Sequence, residues 1–449
     1  MHVVEHVVER FAAYAVQFRT QEIPADALHH AKRAVIDWYA ALLPGALVAP
    51  ATLLEKARAE DLDHGRARLA LGRAATSRAA ALINGSAAHT VEVDDIFKFG
   101  IYHPGAPTIS AALAAAQDIG ASGAAFLRAV IVGYEISTRI GAAMGRAHYR
   151  YWHNTGTIGS FGAAAAAAEL YGLDAKRFAH ALATAATFAA GLQQAFRMDS
   201  MSKPLHAGHA AEAGLLAAQA ARAGVTGSLD VIEGEAGLGR AMSDGPDWDQ
   251  ALATLGREFH ITLMTFKNHA CCGHTFAAID GALEVQRSLG VKAGEIARVR
   301  IGTYRPALEV ACYEHPATPA EARFSLKYVV ATALTHGSVR LAAFEPQRLA
   351  DPLTRALMEK VDLAVDPALD AAFPGQRAAR VTIEAQDGRR GEHLQPARKG
   401  DPELPLGDRE LEDKYLELAS PVIGTAKARA LVAKLWALER VADVSSGLL

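Results

Sequence analysis

Cysteine is scarce in this chain, and its scarcity excludes a class of proteins. The three present are Cys271, Cys272 and Cys312. Three thiols cannot all pair within one chain, and adjacent cysteines rarely bridge each other. A small disulfide-stapled secreted scaffold is therefore excluded, and a reduced, cytoplasmic setting is expected. An excess of positive charge is also missing. Lys and Arg total 46 against 49 Asp and Glu, a formal net charge of −3. Nothing global neutralises a phosphate backbone, so no nucleic-acid partner is expected and any anion site must be built locally. Long apolar runs are absent too. The most apolar stretch, 162–170, is alanine-rich and far short of the ~20 strongly apolar residues that cross a bilayer. The N-terminal MHVVEHVVERFAAYAVQ carries acids inside its apolar pattern, which reads as an amphipathic helix and not as a signal peptide. No membrane partner is expected.

What the chain does have is core. Of its 449 residues, 51% are hydrophobic and 21% charged, a globular composition that excludes a mostly disordered chain. The length suits two or three domains. The first 260 residues or so read as helix after helix. Pro24 opens PADALHHAKRAVIDWYAALL, in which Leu28, Ala31, Val35, Trp38 and Leu42 keep a helical period. Further helices are predicted near 77–90, 106–119, 123–144, 157–172, 174–190 and 208–223, with turn residues such as Gly105, Gly120 and Gly224 between them. Abundant alanine favours helix and lets helices approach closely. After residue 266 the pattern changes. Strands are expected at 298–304, 361–365, 380–385 and 391–395, the last two flanking the hairpin signal Asp387-Gly388. Helices near 273–289, 320–336 and 350–359 are mixed in, and helical patterning returns from Asp408 through Leu438. The expected fold is mostly α with a smaller α+β domain: a helical domain over 1–265 completed by 405–449, and an α+β domain over 266–404. A cleft between two such domains is a common place for a small-molecule site.

Chemically able residues gather at five places. They are His89-Thr-Val-Glu92-Val-Asp94-Asp95-Ile96 closing at His103-Pro-Gly105; Tyr149-Arg-Tyr-Trp-His153-Asn-Thr-Gly-Thr157; Ser202-Lys203-Pro-Leu-His206-Ala-Gly-His209; Lys267-Asn-His269-Ala-Cys271-Cys272-Gly-His274; and Arg323-Phe-Ser-Leu-Lys327-Tyr328. Taken singly each has a plainer explanation. Asp94-Asp95 reads as a solvated pair, His103-Pro104-Gly105 as a turn, His153 as a packed core histidine, His206 and His209 as helix-start groups, and Tyr328 as core. Lys203 and Lys267 sit among small and apolar residues, where an anionic partner is needed. Sharper motifs fail on inspection. Gly237-Leu-Gly239 lacks the third glycine of a dinucleotide fingerprint, and no phosphate loop is present. The adjacency of Cys271 and Cys272 argues against structural zinc, with or without His206 and His209. An Asp-rich magnesium motif would need a further acid where Phe97-Lys98 stand. The remaining set of His, Lys, Arg and Tyr with few carboxylates suits anionic substrates. Cations hold carboxylates through charge-assisted hydrogen bonds, and a neutral histidine can take a proton from carbon beside a carboxylate while those cations stabilise the enolate.

Together the stretches resemble the MmgE/PrpD family, which includes 2-methylcitrate dehydratase, cis-aconitate decarboxylase and iminodisuccinate epimerase. The resemblance is carried by Asn84-Gly-Ser-Ala-Ala-His89 leading to Asp94-Asp95 and His103-Pro-Gly, His153-Asn-Thr-Gly-Thr-Ile-Gly-Ser-Phe-Gly, Leu173-Asp174, Lys203-Pro-Leu-His206-Ala-Gly208, Lys267 before Cys271-Cys272, and Ala322-Arg323-Phe-Ser-Leu-Lys-Tyr328. These run in family order over nearly the whole chain. The resemblance implies a large helical domain with a smaller α+β lid, a homodimer, no metal and no organic cofactor. It implies a small di- or tricarboxylate substrate. Carried over position by position, it places His103, His153, Lys203, Lys267, Tyr328 and Asp94 as catalytic, with Asp95, Glu92, His206, Cys272 and Arg323 at the substrate. Three positions depart from the pattern. Glu92 stands where dehydratase and decarboxylase members usually carry Asp, Ile96 where they carry Thr or Ser, and Cys272 where the decarboxylase has His. Loss of the hydroxyl at Ile96 removes a hydrogen bond able to discriminate substrates by about 1–3 kcal/mol. The expected activity is a cofactor-independent lyase, led by 2-methylcitrate-like dehydration, with epimerase-like or decarboxylase-like chemistry as alternatives. A helical binding protein that keeps the cleft without the chemistry is the non-enzymatic alternative.

Overall fold

The computed structural model describes residues 5–196, 200–373, 375–446 and 448. The first four residues of the expected N-terminal helix and residues 197–199 lie outside the described residues. The chain forms two compact units, Met1–Thr265 with Gly407–Leu449, and Phe266–Leu406. No described helix is long and apolar enough to cross a membrane.

In the first unit the amphipathic N-terminal pattern becomes helix Val7–Phe18. Pro24 caps helix Ala25–Gly45, its fixed φ suiting a helix start. Helices Ser77–Ala88, Gly105–Ile119, Gly123–Tyr149, Gly159–Leu170, Ala175–Thr187 and Ser202–Ala223 follow. Gly159–Leu170 is alanine-rich and buried from Gly159 to Glu169, as a helix apolar on every side must be. It is enclosed by Gly105–Ile119, Gly123–Tyr149, Ala175–Thr187 and Ser202–Ala223. Small residues set the approach. A Cβ on Gly208 would lie 2.1 Å from Ser86 Oγ and 2.2 Å from the Leu82 carbonyl, so only glycine lets Ser202–Ala223 meet Ser77–Ala88. The chain returns as Asp408–Ile423 and Thr425–Trp436, and the first of these packs on Ala25–Gly45.

Two features of this unit differ from the sequence reading. Strands β1 (Leu62–Arg68) and β2 (Ala74–Ala75) make a small antiparallel hairpin inside the helical series. LDHGRAR shows no alternation of β-branched residues, so nothing local announced a strand. The helix expected from 208 begins instead at Ser202, because Pro204 falls in the first turn, where its missing N–H costs nothing. Lys203 and His206 are thereby helical.

The second unit is α+β. Strands β3 (Ile296–Thr303), β4 (Val361–Val365), β5 (Ala379–Ala385) and β6 (Arg390–Gln395) form one sheet in the order β4-β3-β5-β6. The β3–β4 pair is parallel and the β3–β5 and β5–β6 pairs are antiparallel. The β5–β6 hairpin turns at Asp387-Gly388, where Gly388 takes φ 88°. Helix Phe276–Leu289 covers β5 and β6.

Candidate active site

The loop from His89 to Pro104 connects helix Ser77–Ala88 to helix Gly105–Ile119. It holds two of the non-glycine residues at positive φ, Glu92 at 61° and Ile101 at 48°. Each costs on the order of 1 kcal/mol, an expense proteins usually carry where side chains must be aimed. Neighbouring elements hold the loop in place. Ile96 pairs with Thr265 through both backbone groups, Phe97 with Tyr102, and Asn154 Nδ2 donates to the Gly100 carbonyl. The backbone N–H of His103 donates to Thr155 Oγ1 at 3.3 Å.

The paired acids face different partners. Asp94 Oδ2 accepts from His89 Nδ1 at 2.7 Å and lies 3.2 Å from His103 Nδ1, the latter close but off the line of a full hydrogen bond. Burial alone would raise the Asp94 carboxyl. The facing His103 and His89 rings outweigh it and hold the group well below the usual carboxylate range. Asp95 turns toward the start of helix Gly105–Ile119, accepting from the Gly105 N–H at 3.0 Å and from the Tyr134 hydroxyl at 2.8 Å. A Cβ at position 105 would stand 2.8 Å from Asp95 Oδ1, so glycine is required for that approach. Burial and the nearby Asp37 push Asp95 up to about 7, against the Tyr134 hydrogen bond.

Three further histidine contacts extend the group. His89 meets the His103 ring edge-on at 4.7 Å and stacks on His153 at 5.4 Å. His153 Nδ1 lies 3.0 Å from His206 Nδ1. The rings come from the end of one helix, the site loop, the His153–Thr157 turn and the first turns of Ser202–Ala223. Burial first, then the other imidazoles, drives His153 well below the ordinary histidine range. Burial takes His89 down to about 3, against the pull of Asp94. Both rings are therefore neutral bases near neutral pH. Lys203, half-buried, makes an ion pair with Glu92, so the anionic partner expected for this lysine is a residue of the site loop. His103 keeps partial exposure, with 15% of its side chain accessible.

The structure thus brings Glu92, Asp94, Asp95, His103, His153, Lys203 and His206 together in the helical unit. His89, quoted in the motif but given no role from sequence, lies at their centre. Its signal was its place in the family motif: a histidine at a helix end, five residues before the acids. His89, Asp94 and His103 place ligand-type atoms within 4.8 Å of one another.

The α+β unit carries the other four residues, Lys267, Cys272, Arg323 and Tyr328. Lys267 and Cys271 are buried, Cys272 half-buried. The Cys272 N–H donates to the Arg323 carbonyl at 2.9 Å, joining the fourth and fifth sequence clusters. Burial pushes the Cys271 thiol up to about 12, and its sulfur sits 3.2 Å from Thr275 Oγ1. Burial also raises Cys272, although Lys267, Arg377 and Arg398 pull the other way. The Arg323 guanidinium lies over the Phe344 ring at 5.0 Å. Tyr328 is fully buried and its hydroxyl donates to the Ala343 carbonyl. His269, 2% exposed, makes a 2.9 Å contact with Asp280.

Comparison with known proteins gives the same architecture. The model of the MmgE/PrpD N-terminal domain matches residues 9–251 and that of the C-terminal domain residues 269–438. A cis-aconitate decarboxylase-like protein, oryM, of Aspergillus oryzae is 30% identical over 98% of this chain and 96% of its own length. Human cis-aconitate decarboxylase is 27% identical over 82% of this chain and 77% of its own. The 2-methylcitrate dehydratase of Escherichia coli is 30% identical over 27% of each chain. With both domains matched in order and a relative aligned end to end, the chain belongs to the MmgE/PrpD family.

Proposed function

We propose that the protein is a cofactor-independent lyase acting on a small di- or tricarboxylate, by proton transfer at carbon next to a carboxylate. The observation that carries this reading is the contact group His89–His103–His153, with His89 and His153 kept neutral by burial, beside the ionised Asp94 and the Lys203–Glu92 pair. Imidazoles kept neutral by burial accept protons at physiological pH. A lysine beside them holds a carboxylate and stabilises the negative charge that develops when carbon loses its proton. Here an incoming substrate carboxylate displaces Glu92 as the partner of Lys203. His103 and His153 are the acid and base. Lys267 is a second carboxylate ligand, supported by its place in the family motif. Tyr328, whose hydroxyl is engaged with Ala343, acts by orientation. Asp94 fixes histidine tautomers and Asp95 fixes the loop. His206 contacts substrate in the helical unit, and Cys272 and Arg323, on the strength of the family motif, are proposed as substrate contacts of the α+β unit.

Among the reactions open to this machinery, dehydration of a 2-methylcitrate-like substrate is the first reading. Decarboxylation of a cis-aconitate-like substrate is the second, and one observation favours it: the relatives aligned over most of the chain are named as decarboxylases, whereas the dehydratase alignment covers about a quarter. Epimerisation needs the same proton transfer without a leaving group. Product analysis separates them. Purified protein is given a panel of citrate-like, aconitate-like and amino-dicarboxylate substrates. Release of CO₂ identifies the decarboxylase, a new conjugated double bond without CO₂ the dehydratase, and loss of optical activity alone the epimerase. Binding across the panel with no turnover would overturn the lyase reading and leave a binding protein.

A further inference from the structure

The shared oxygen of Asp94 has a consequence for its two histidines. Asp94 is held ionised, so it only accepts hydrogen bonds. His89 Nδ1 at 2.7 Å must then be the protonated nitrogen of that ring. His103 Nδ1 stands 3.2 Å from the same oxygen and is poorly aligned with it. His89 is fully buried, and its Nε2 has no hydrogen-bond partner among the described residues. It touches both proposed acid–base rings, His103 edge-on and His153 face-on.

We infer that His89 is a positioning residue: by taking the strong hydrogen bond to Asp94 it weakens the hold of that carboxylate on His103 Nδ1, and so leaves the His103 ring to act through Nε2. This rests on the reading of His103 as an acid–base group. Without His89, the full charge of Asp94 would face His103, favour its imidazolium and remove the base. The charged and titratable groups acting on this pair are Asp94, Lys203 and His153, with Glu92 paired to Lys203 and His206 against His153.

The test is a titration of the His103 ring by NMR on protein carrying isotope-labelled histidine, with no substrate present. Assignment uses His103→Gln. In His89→Phe, which keeps a buried ring and loses the donor, the His103 titration is expected to move to higher pH by about one unit. His89→Gln, whose amide still donates to Asp94, is expected to restore it to within a few tenths of a unit. Asp94→Asn is expected to move it the opposite way. A folded His89→Phe whose His103 titration does not move overturns the inference, as does equal movement in His89→Phe and His89→Gln. Because the readout needs no substrate, the expected shift in a protein inert toward the whole polycarboxylate panel would sink the proposed function and leave only the tuning of His103 by His89 standing.

Discussion

The helical unit and the α+β unit present their reactive residues in opposite ways. In the helical unit histidines and acids are packed against one another. One carboxylate serves two rings, one ring stacks on the next, and a lysine is paired with a loop glutamate. In the α+β unit the cations Lys267, Arg323, Arg377 and Arg398 lie around two protonated thiols, and the tyrosine is turned into the core. On the proposed reading the first arrangement moves protons, because burial keeps His89 and His153 neutral, and the second attracts anions. A residue's chemistry was legible from its type, whereas its state came from its surroundings.

The largest test of that contrast is in turnover. His153→Ala and Lys203→Ala are each expected to lower kcat on the order of 10²-fold or more, while Lys267→Ala is expected to act mainly on KM, by about tenfold. Steady-state kinetics of the three variants check this, and a kcat loss confined to Lys267→Ala would reverse the assignment of the two units.

A second test separates buried charge that builds from buried charge that reacts. Lys414 of the returning helix is 1% exposed, with Asp37 at 2.5 Å and the Val93 carbonyl at 2.6 Å. Lys414→Met leaves Asp37 without that ion pair and should cost about 3 kcal/mol in chemical denaturation. Lys203→Ala, at a half-exposed pair, should cost under about 1 kcal/mol.

Acid sharpens the comparison further. Burial holds His89 near 3 and His148 and His260 near 4 in the helical unit, against His274 near 4 in the α+β unit. Each folded value lies below the unfolded one, so between about pH 6.5 and 4 the unfolded chain binds more protons and stability falls as pH falls. Asp95, held near 7, runs the other way and loses its contribution as pH rises through 7. The histidines outnumber it. The melting temperature should drop below pH 6, and hydrogen exchange should show the helical unit opening first.

The smallest effect concerns thiols. Cys312 is exposed, while Cys271 is buried and protonated. A thiol reagent should label Cys312 quickly with activity unchanged, and rapid labelling of Cys271 would contradict the packing described.

Much of the fold was legible because its signals are local. Helical spacing, the Pro24 start and the Asp387-Gly388 turn each sit within a few residues of what they determine. The β1–β2 hairpin was not, since its pairing depends on backbone contacts and not on side-chain pattern. The site was legible as a list of residues through the family motifs and illegible as a network. The Asp37–Lys414 pair spans 377 positions, and the contact of His89 with His153 follows from how their helices pack. The family motif marks the position of His89, but nothing around it tells that its ring touches both His103 and His153.

Hydrogen exchange at carbon tests the central claim most directly. Metal-stripped protein is incubated in D₂O with the polycarboxylate panel, beside His153→Ala. The account predicts deuterium on carbon next to a carboxylate, in substrate or product, for at least one compound, with incorporation cut on the order of 10²-fold in the variant. Decarboxylation or epimerisation with no deuterium at such a carbon, dehydration whose unsaturated product takes up no deuterium there when hydrated in reverse, or equal incorporation by the variant, would contradict it.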